Sequence, residues 1–209
     1  DKKVRKAISF AINKQAIIDA VYFGEAESAK SLLPKSSWAY NEHANEVKYS
    51  IESARKMLIE AGYPDGFTMN IWAMPVQRAY NPNALTMAKL IQADLKQIGI
   101  RVEIISYEWA TFLRKLTEGE HQSVLLGWSA DHPDPDNFFT PLLSCDAKNS
   151  GSNRVFWCNE EFDELLKKAR LTNNINLRKK HYAQALEIIE QEVPLLPIAH
   201  SKRFQARHN

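Results

Sequence analysis

The chain of 209 residues carries 27 lysines and arginines against 25 aspartates and glutamates, and a formal charge of +2 is too weak a field to hold nucleic acid or an anionic membrane. With 44% hydrophobic and 25% charged residues it has the composition of an ordinary globular protein, which excludes a disordered or low-complexity chain. No apolar run approaches the roughly 20 residues of a helical bilayer crossing, so direct membrane insertion is not expected.

Val4, Ala7, Ile8, Ala11, Ile12, Ile17, Ile18 and Val21 recur on one side of a helix expected over 3–22 and ended by Gly24. This amphipathic opening is not a secretory signal, and a chain that starts almost directly in a helix reads as part of something longer. Residues 28–33 are short and extended, and 34–48, rich in Ser, Asn, Trp and Tyr, form a long surface crossing. Ser50 caps a helix over 51–61 that Gly62 terminates. Strand 67–74, helix 83–97, strand 100–106, helix 109–117 and strand 123–128 then follow as βα units, which imply a largely parallel sheet. Helices over 160–170 and 175–191 come next, and a last strand-like segment, L-L-P-I-A-H, contains a proline suited to a strand end or edge.

In open α/β sheets ligands bind beyond the carboxyl ends of the strands. The run V-L-L-G-W-S-A-D-H-P-D-P-D-N-F-F delivers Trp128 and Asp131 into such a loop, and strand 67–74 runs into P-V-Q-R-A-Y-N-P-N, which carries Arg78 and Tyr80. One loop offers a negative charge and the other a positive one. Each charge has an ordinary alternative as a surface or intramolecular ion pair.

Catalytic and metal-binding patterns do not appear. Asp131, His132, Asp134 and Asp136 depart from calcium-loop spacing, Pro133 and Pro135 limit which oxygens converge, and a turn with helix-capping carboxylates is the plainer reading of Asp134 and Asp136. His121, His132, His181 and His200 lack paired ligand spacing. Ser129 sits in no G-x-S-x-G, and the 7 glycines form no phosphate-binding pattern. Cys145 and Cys158 flank a loop rich in Asn, Ser and Gly, a spacing unlike structural zinc and compatible with either a disulfide or two free thiols.

The stretches W-A-M-P-V-Q-R-A-Y-N-P-N, M-A-K-L-I-Q-A-D-L-K-Q-I-G-I, Y-E-W and G-E-H-Q-S-V-L-L-G-W-S-A-D-H-P-D-P-D-N-F-F, with L-L-S-C through W-C, resemble the periplasmic dipeptide-binding protein family, the solute-binding components of peptide ABC importers. The N-terminal V-R-K-A-I-S-F-A-I-N-K and the A-R-K-M-L-I-E-A-G-Y segment extend the likeness over almost the whole chain. S-S-W-A-Y, F-F-T-P-L-L-S-C and L-P-I-A-H-S-K-R-F-Q-A-R are closer to Sap-type relatives associated with antimicrobial-peptide uptake and haem.

The resemblance implies an α/β fold of the type II-like periplasmic binding protein class, with a mostly parallel central sheet flanked by helices. It implies that residues 1–209 are a single ligand-binding lobe of a larger two-lobed protein. Asp131 matches the carboxylate that receives a peptide α-ammonium and Arg78 the guanidinium that receives its α-carboxylate, while Tyr80 and Trp128 fall where side chains line the cleft. A disulfide between Cys145 and Cys158 is implied too, in a periplasmic protein with no resident cofactor. Its partners would be a peptide ligand and, through the full-length protein, the membrane subunits of the importer. The departure is at Ala130-Asp131-His132-Pro133, where the family has small, flexible residues. With haem as the transported ligand, Arg78 would meet a propionate, Trp128 or Tyr80 would pack on the ring and His132 would approach the iron. A peptidase built on the same cleft, or a plain interaction domain, are the competing classes.

Overall fold

Two segments of alternating, β-branched sequence pair in parallel: β2 (Thr68–Trp72) and β3 (Arg101–Ile105), in register from Thr68 opposite Arg101 to Trp72 opposite Ile105. They are joined by α4 (Ala84–Lys96), which Asn83 caps by accepting a hydrogen bond from Thr86 N at 2.9 Å. In this computed structural model residues 1–204 are described, and they divide into two compact units. A strand-bearing unit comprises 6–29, 48–129 and 198–204; a helical unit comprises 1–5, 30–47 and 130–197.

The expected helix over 3–22 is broken into α1 (Lys2–Ala11) and α2 (Lys14–Tyr22). Asn13 breaks it: its side chain accepts from Ala16 N and caps α2, while its own N–H donates to Asp94 Oδ2 at 2.8 Å. The extended segment read over 28–33 is instead β1 (Ala26–Ser28), paired antiparallel with β4 (Ala199–Ser201). β4 begins only after Pro197, which has no N–H to give a ladder. Helix α3 (Ile51–Glu60) starts at Ser50 as expected, with Ser50 Oγ accepting from Ser53 N at 3.1 Å. The expected strand over 123–128 shortens to one parallel bridge, Val124 opposite Trp72, which extends the β2–β3 pair by a single step. The chain leaves that ladder beyond Leu125, whose N–H donates to Trp72 O at 2.9 Å. Helix α5 (Trp109–Thr117) closes the unit, capped by the Glu108 carboxylate, which accepts from Ala110 N and Thr111 N. Those hydrogen bonds hold the Glu108 carboxyl below its ordinary range.

The helical unit packs α6 (Asp136–Leu143), α7 (Ala147–Ser150), α8 (Glu160–Arg170) and α9 (Ile175–Glu192) around Phe139, Phe162, Leu166, Tyr182 and Leu186. Phe139 and Tyr182 stack at 5.2 Å, and Phe162 meets Phe139 and Trp157 edge-on. Helix α6 has a counterpart only in the capping turn read at Asp134 and Asp136, its length masked by Pro135 and Pro141, and α7 has none, masked by the Asn/Ser/Gly-rich stretch. The crossing over 34–48 is not all surface: Ala39 joins the core and Trp38 packs edge-on against Tyr182. A disulfide joins Cys145 and Cys158 with Cα atoms 4.5 Å apart. The loop it closes is clamped by Asn153, fully buried, whose Nδ2 donates to Ser144 O and Trp157 O.

Arg178 ties the segment before α6 to this core. It lies 2.8 Å from Asp134 Oδ2, donates to Tyr182 Oη at 2.8 Å, and sits over the Trp38 ring. Burial alone would raise the Asp134 carboxyl, but the Asp136 N–H, the Arg178 guanidinium and the Tyr182 hydroxyl outweigh it and hold the group below its ordinary value. Because the folded carboxyl titrates lower than the unfolded one, its stabilising contribution is complete above the ordinary aspartate range and is lost as pH falls through the folded value. Asp134→Asn should therefore cost about 1–3 kcal/mol at neutral pH, with the gap from wild type closing in acid. Urea unfolding at neutral pH and below the ordinary aspartate range checks this, and a gap independent of pH would contradict it.

Candidate functional site

The loop that follows β2 owes its shape to hydrogen bonds rather than to repeating structure. Arg78 and Asn81 exchange backbone hydrogen bonds of 3.0 Å in both directions, which folds residues 78–81 into a tight reversal. Asn81 is buried, its Oδ1 accepting from Asn83 N, so the reversal is continuous with the cap of α4. Two further carbonyls are fixed from outside the loop: Tyr80 O accepts from Tyr22 Oη at 2.9 Å and Ala79 O from Ser201 Oγ at 3.0 Å. Burial pushes the Tyr22 phenol up to about 12, so it stays a hydrogen-bond donor at any ordinary pH.

On this loop Arg78 is exposed and its guanidinium carbon lies 4.6 Å from the centre of the Trp109 ring. Tyr80 is half-buried, with its hydroxyl 3.7 Å from Met74 Sδ and its ring against Gly127. Burial raises the Tyr80 phenol, and the neighbouring Arg78 guanidinium offsets part of that rise. A Cβ at Gly127 would stand 2.3 Å from Tyr80 Cδ2, so glycine is required there for the close approach. Trp128, half-buried, is the next residue. Arg78, Tyr80 and Trp128 thus lie in loops of the strand-bearing unit that leave the carboxyl ends of β2 and of the Val124 bridge.

Asp131 and His132 belong to the helical unit. Both are exposed, in the loop that leads into α6. The Asp131 N–H donates to Asn137 Oδ1 at 3.0 Å, which holds its backbone. His132 is drawn back toward its own loop: Nδ1 accepts from Asp134 N and Nε2 lies near Asn137 Nδ2, each at 3.3 Å. Asp134 and Asp136 are engaged locally, Asp134 Oδ1 accepting from Asp136 N and Asp136 Oδ1 from Thr140 Oγ1. No group of three or more His, Cys, Asp or Glu is placed to hold a metal ion among the described residues.

Sequence reading missed Trp109, Tyr22 and Gly127 as parts of the Arg78 loop's surroundings. Trp109 had a signal, since Y-E-W ends a strand of the same parallel pair and so reaches the same edge. Tyr22 and Ser201 had none, because they reach the loop from distant parts of the chain.

Residues 1–150 match the family described as bacterial extracellular solute-binding proteins, family 5 Middle. The chain is 47% identical over 205 residues to the dipeptide-binding protein of Escherichia coli K12, covering 98% of this chain and 38% of that protein. It is 45% identical over 203 residues to heme-binding protein A of Haemophilus influenzae, covering 97% of this chain and 37% of the relative. A crystal structure of a dipeptide-binding protein from Pseudoalteromonas sp. SM9913 in complex with Met-Leu superposes with a TM-score of 0.94 at 53% identity, over 96% of this chain and 40% of that one. The fold is that of the type II-like periplasmic binding proteins. This chain spans about 38% of the length of the curated relatives named here.

Gly127→Ala would push the Tyr80 ring off its seat. The expected cost is about 1–3 kcal/mol of stability, by overpacking. Thermal unfolding measures it, and an unchanged melting temperature would show that the two segments do not pack as described.

Proposed function

Because the chain belongs to the bacterial extracellular solute-binding proteins of family 5, we propose that it is a ligand-binding lobe of a two-lobed periplasmic protein that captures peptides by their charged termini. The captured peptide passes to the membrane subunits of an ABC importer. Arg78 receives the peptide α-carboxylate and Asp131 the α-ammonium, with Tyr80 and Trp128 lining the cleft. The observation that carries this reading is the exposed Arg78 guanidinium on a loop whose backbone is fixed by Asn81, Tyr22 and Ser201.

The physical case is one of charge and preorganisation. A short peptide is a zwitterion, and each terminus offers a charge-assisted hydrogen bond, which is shorter and stronger than a neutral one. A donor on a rigid loop loses little freedom on binding, so more of that interaction appears as affinity. Fixing the two ends sets the length of the ligand and leaves its side chains to less particular contacts. The protein binds and releases its ligand without chemical turnover. The Met-Leu complex of the Pseudoalteromonas relative supports a dipeptide as the ligand class.

Haem is the second reading, supported by 45% identity to the Haemophilus heme-binding protein A. In it Arg78 meets a propionate, Trp128 or Tyr80 packs on the ring, and the exposed His132 turns away from Asn137 toward the iron.

Arg78→Ala and Asp131→Ala, made separately in the full-length protein, should each weaken dipeptide binding by about 10-fold or more, the loss of a hydrogen bond to a charged group. Titration calorimetry checks it. Unchanged affinity in both variants would sink the assignment of the two termini.

A further inference from the structure

Arg78 is exposed, yet it is not left to wander. Its guanidinium lies 4.6 Å over Trp109. Trp109 in turn stacks on Phe112 at 5.7 Å with the rings 15° apart. Phe112 is fully buried and packs against Trp72 of β2 at 5.8 Å. The backbone of Trp109 is held as well, since it is the first residue of α5 and the Glu108 carboxylate before it accepts from Ala110 N and Thr111 N. A cation on the surface is therefore seated on a column of aromatic rings that ends in the core.

We infer that Trp109 is the positioning residue that makes Arg78 a receptor for planar carboxylates. The inference rests on the reading of Arg78 as the group that meets the ligand carboxylate. An indole face attracts a guanidinium laid over it through the ring quadrupole. A guanidinium held against a ring on one face can still turn edge N–H donors toward a ligand, and donors at that edge are the ones that form paired hydrogen bonds to both oxygens of a carboxylate. A free arginine would have to give up rotamer freedom when the ligand arrives; one already held on Trp109 has given it up in the folded protein. Tyr80, which also feels the Arg78 charge, adds a second fixed neighbour on the same loop.

This assigns Trp109 a role in selectivity. It favours a ligand with a free, planar carboxylate over one whose C-terminus is an uncharged amide, because only the former uses both edge donors. A side chain that merely filled space at position 109 would not separate these ligands.

The test compares the affinities of the full-length protein for Met-Leu and for Met-Leu amide by calorimetry. Wild type should prefer the free acid strongly, and Arg78→Ala should abolish that preference. Trp109→Leu should reduce it by about 5-fold, the cost of ordering one long side chain on binding, while Trp109→Phe, which keeps a ring, should retain most of it. If Arg78→Ala abolishes the preference and Trp109→Leu leaves it at the wild-type value, the role of Trp109 is overturned and the carboxylate role of Arg78 stands. If Arg78→Ala leaves the preference intact, the functional reading itself fails. A second measurement needs no variant: the Nε–Hε heteronuclear relaxation of Arg78 in the unliganded protein should be as rigid as the backbone, and the mobility of an ordinary surface arginine would contradict the inference.

Discussion

The placement of the Arg78 loop depends on Trp72. This residue ends β2, is 2% exposed, and has ladder partners on both sides: it is in register with Ile105 of β3, its N–H donates to Ser123 O and its carbonyl accepts from Leu125 N. Its ring meets Tyr107, Phe112 and His121. Three chain segments thus turn at one buried indole, and each continues into a residue of the candidate site. The segment after β2 carries Arg78 and Tyr80, the one after β3 carries Trp109, and the one after the Val124 bridge carries Gly127 and Trp128. Ligand groups gathered at the carboxyl ends of parallel strands follow from that arrangement.

Burial and polarity are divided along the same line. Around the end of β2 the side chains are apolar and fixed by packing, as in Ile71, Trp72, Ala73 and Met74, all buried. Beyond them the backbone turns back on itself, and its polar groups are satisfied by Asn81, Tyr22 and Ser201 instead of by a ladder. A loop whose carbonyls are already paired can hold a charged side chain in one place without the support of a regular element. The helical unit uses a comparable device before α6, where Asp134, Arg178 and Tyr182 fix the segment that follows Asp131 and His132.

Much of this was legible from periodicity and capping residues. Helices α3, α4, α5, α8 and α9 and the β2–β3 pair follow from apolar spacing, with Ser50 as the cap of α3. The break at Asn13 was not, because its local cap of α2 is matched by a bond from its N–H to Asp94, far along the chain. Of helix α6 only the capping turn at Asp134 and Asp136 was legible; its prolines hid the rest, although Pro135 stands at the helix start, where a missing N–H does no harm. At the site, the charged residues were legible as charges past strand ends, and the resemblance supplied their pairing with ligand groups. What surrounds them was not: the seat of Tyr80 on Gly127 and the ring beneath Arg78 arise from tertiary packing, which leaves no local pattern in the sequence.

Arg78 and Asp131, so assigned, call for a peptide with free termini as the ligand. Mass spectrometry, with an absorption spectrum, of the material released from the full-length protein purified without refolding tests it most directly. Short peptides with unblocked amino and carboxyl ends, and no haem absorption band, are expected. Recovery of haem without peptide would contradict it.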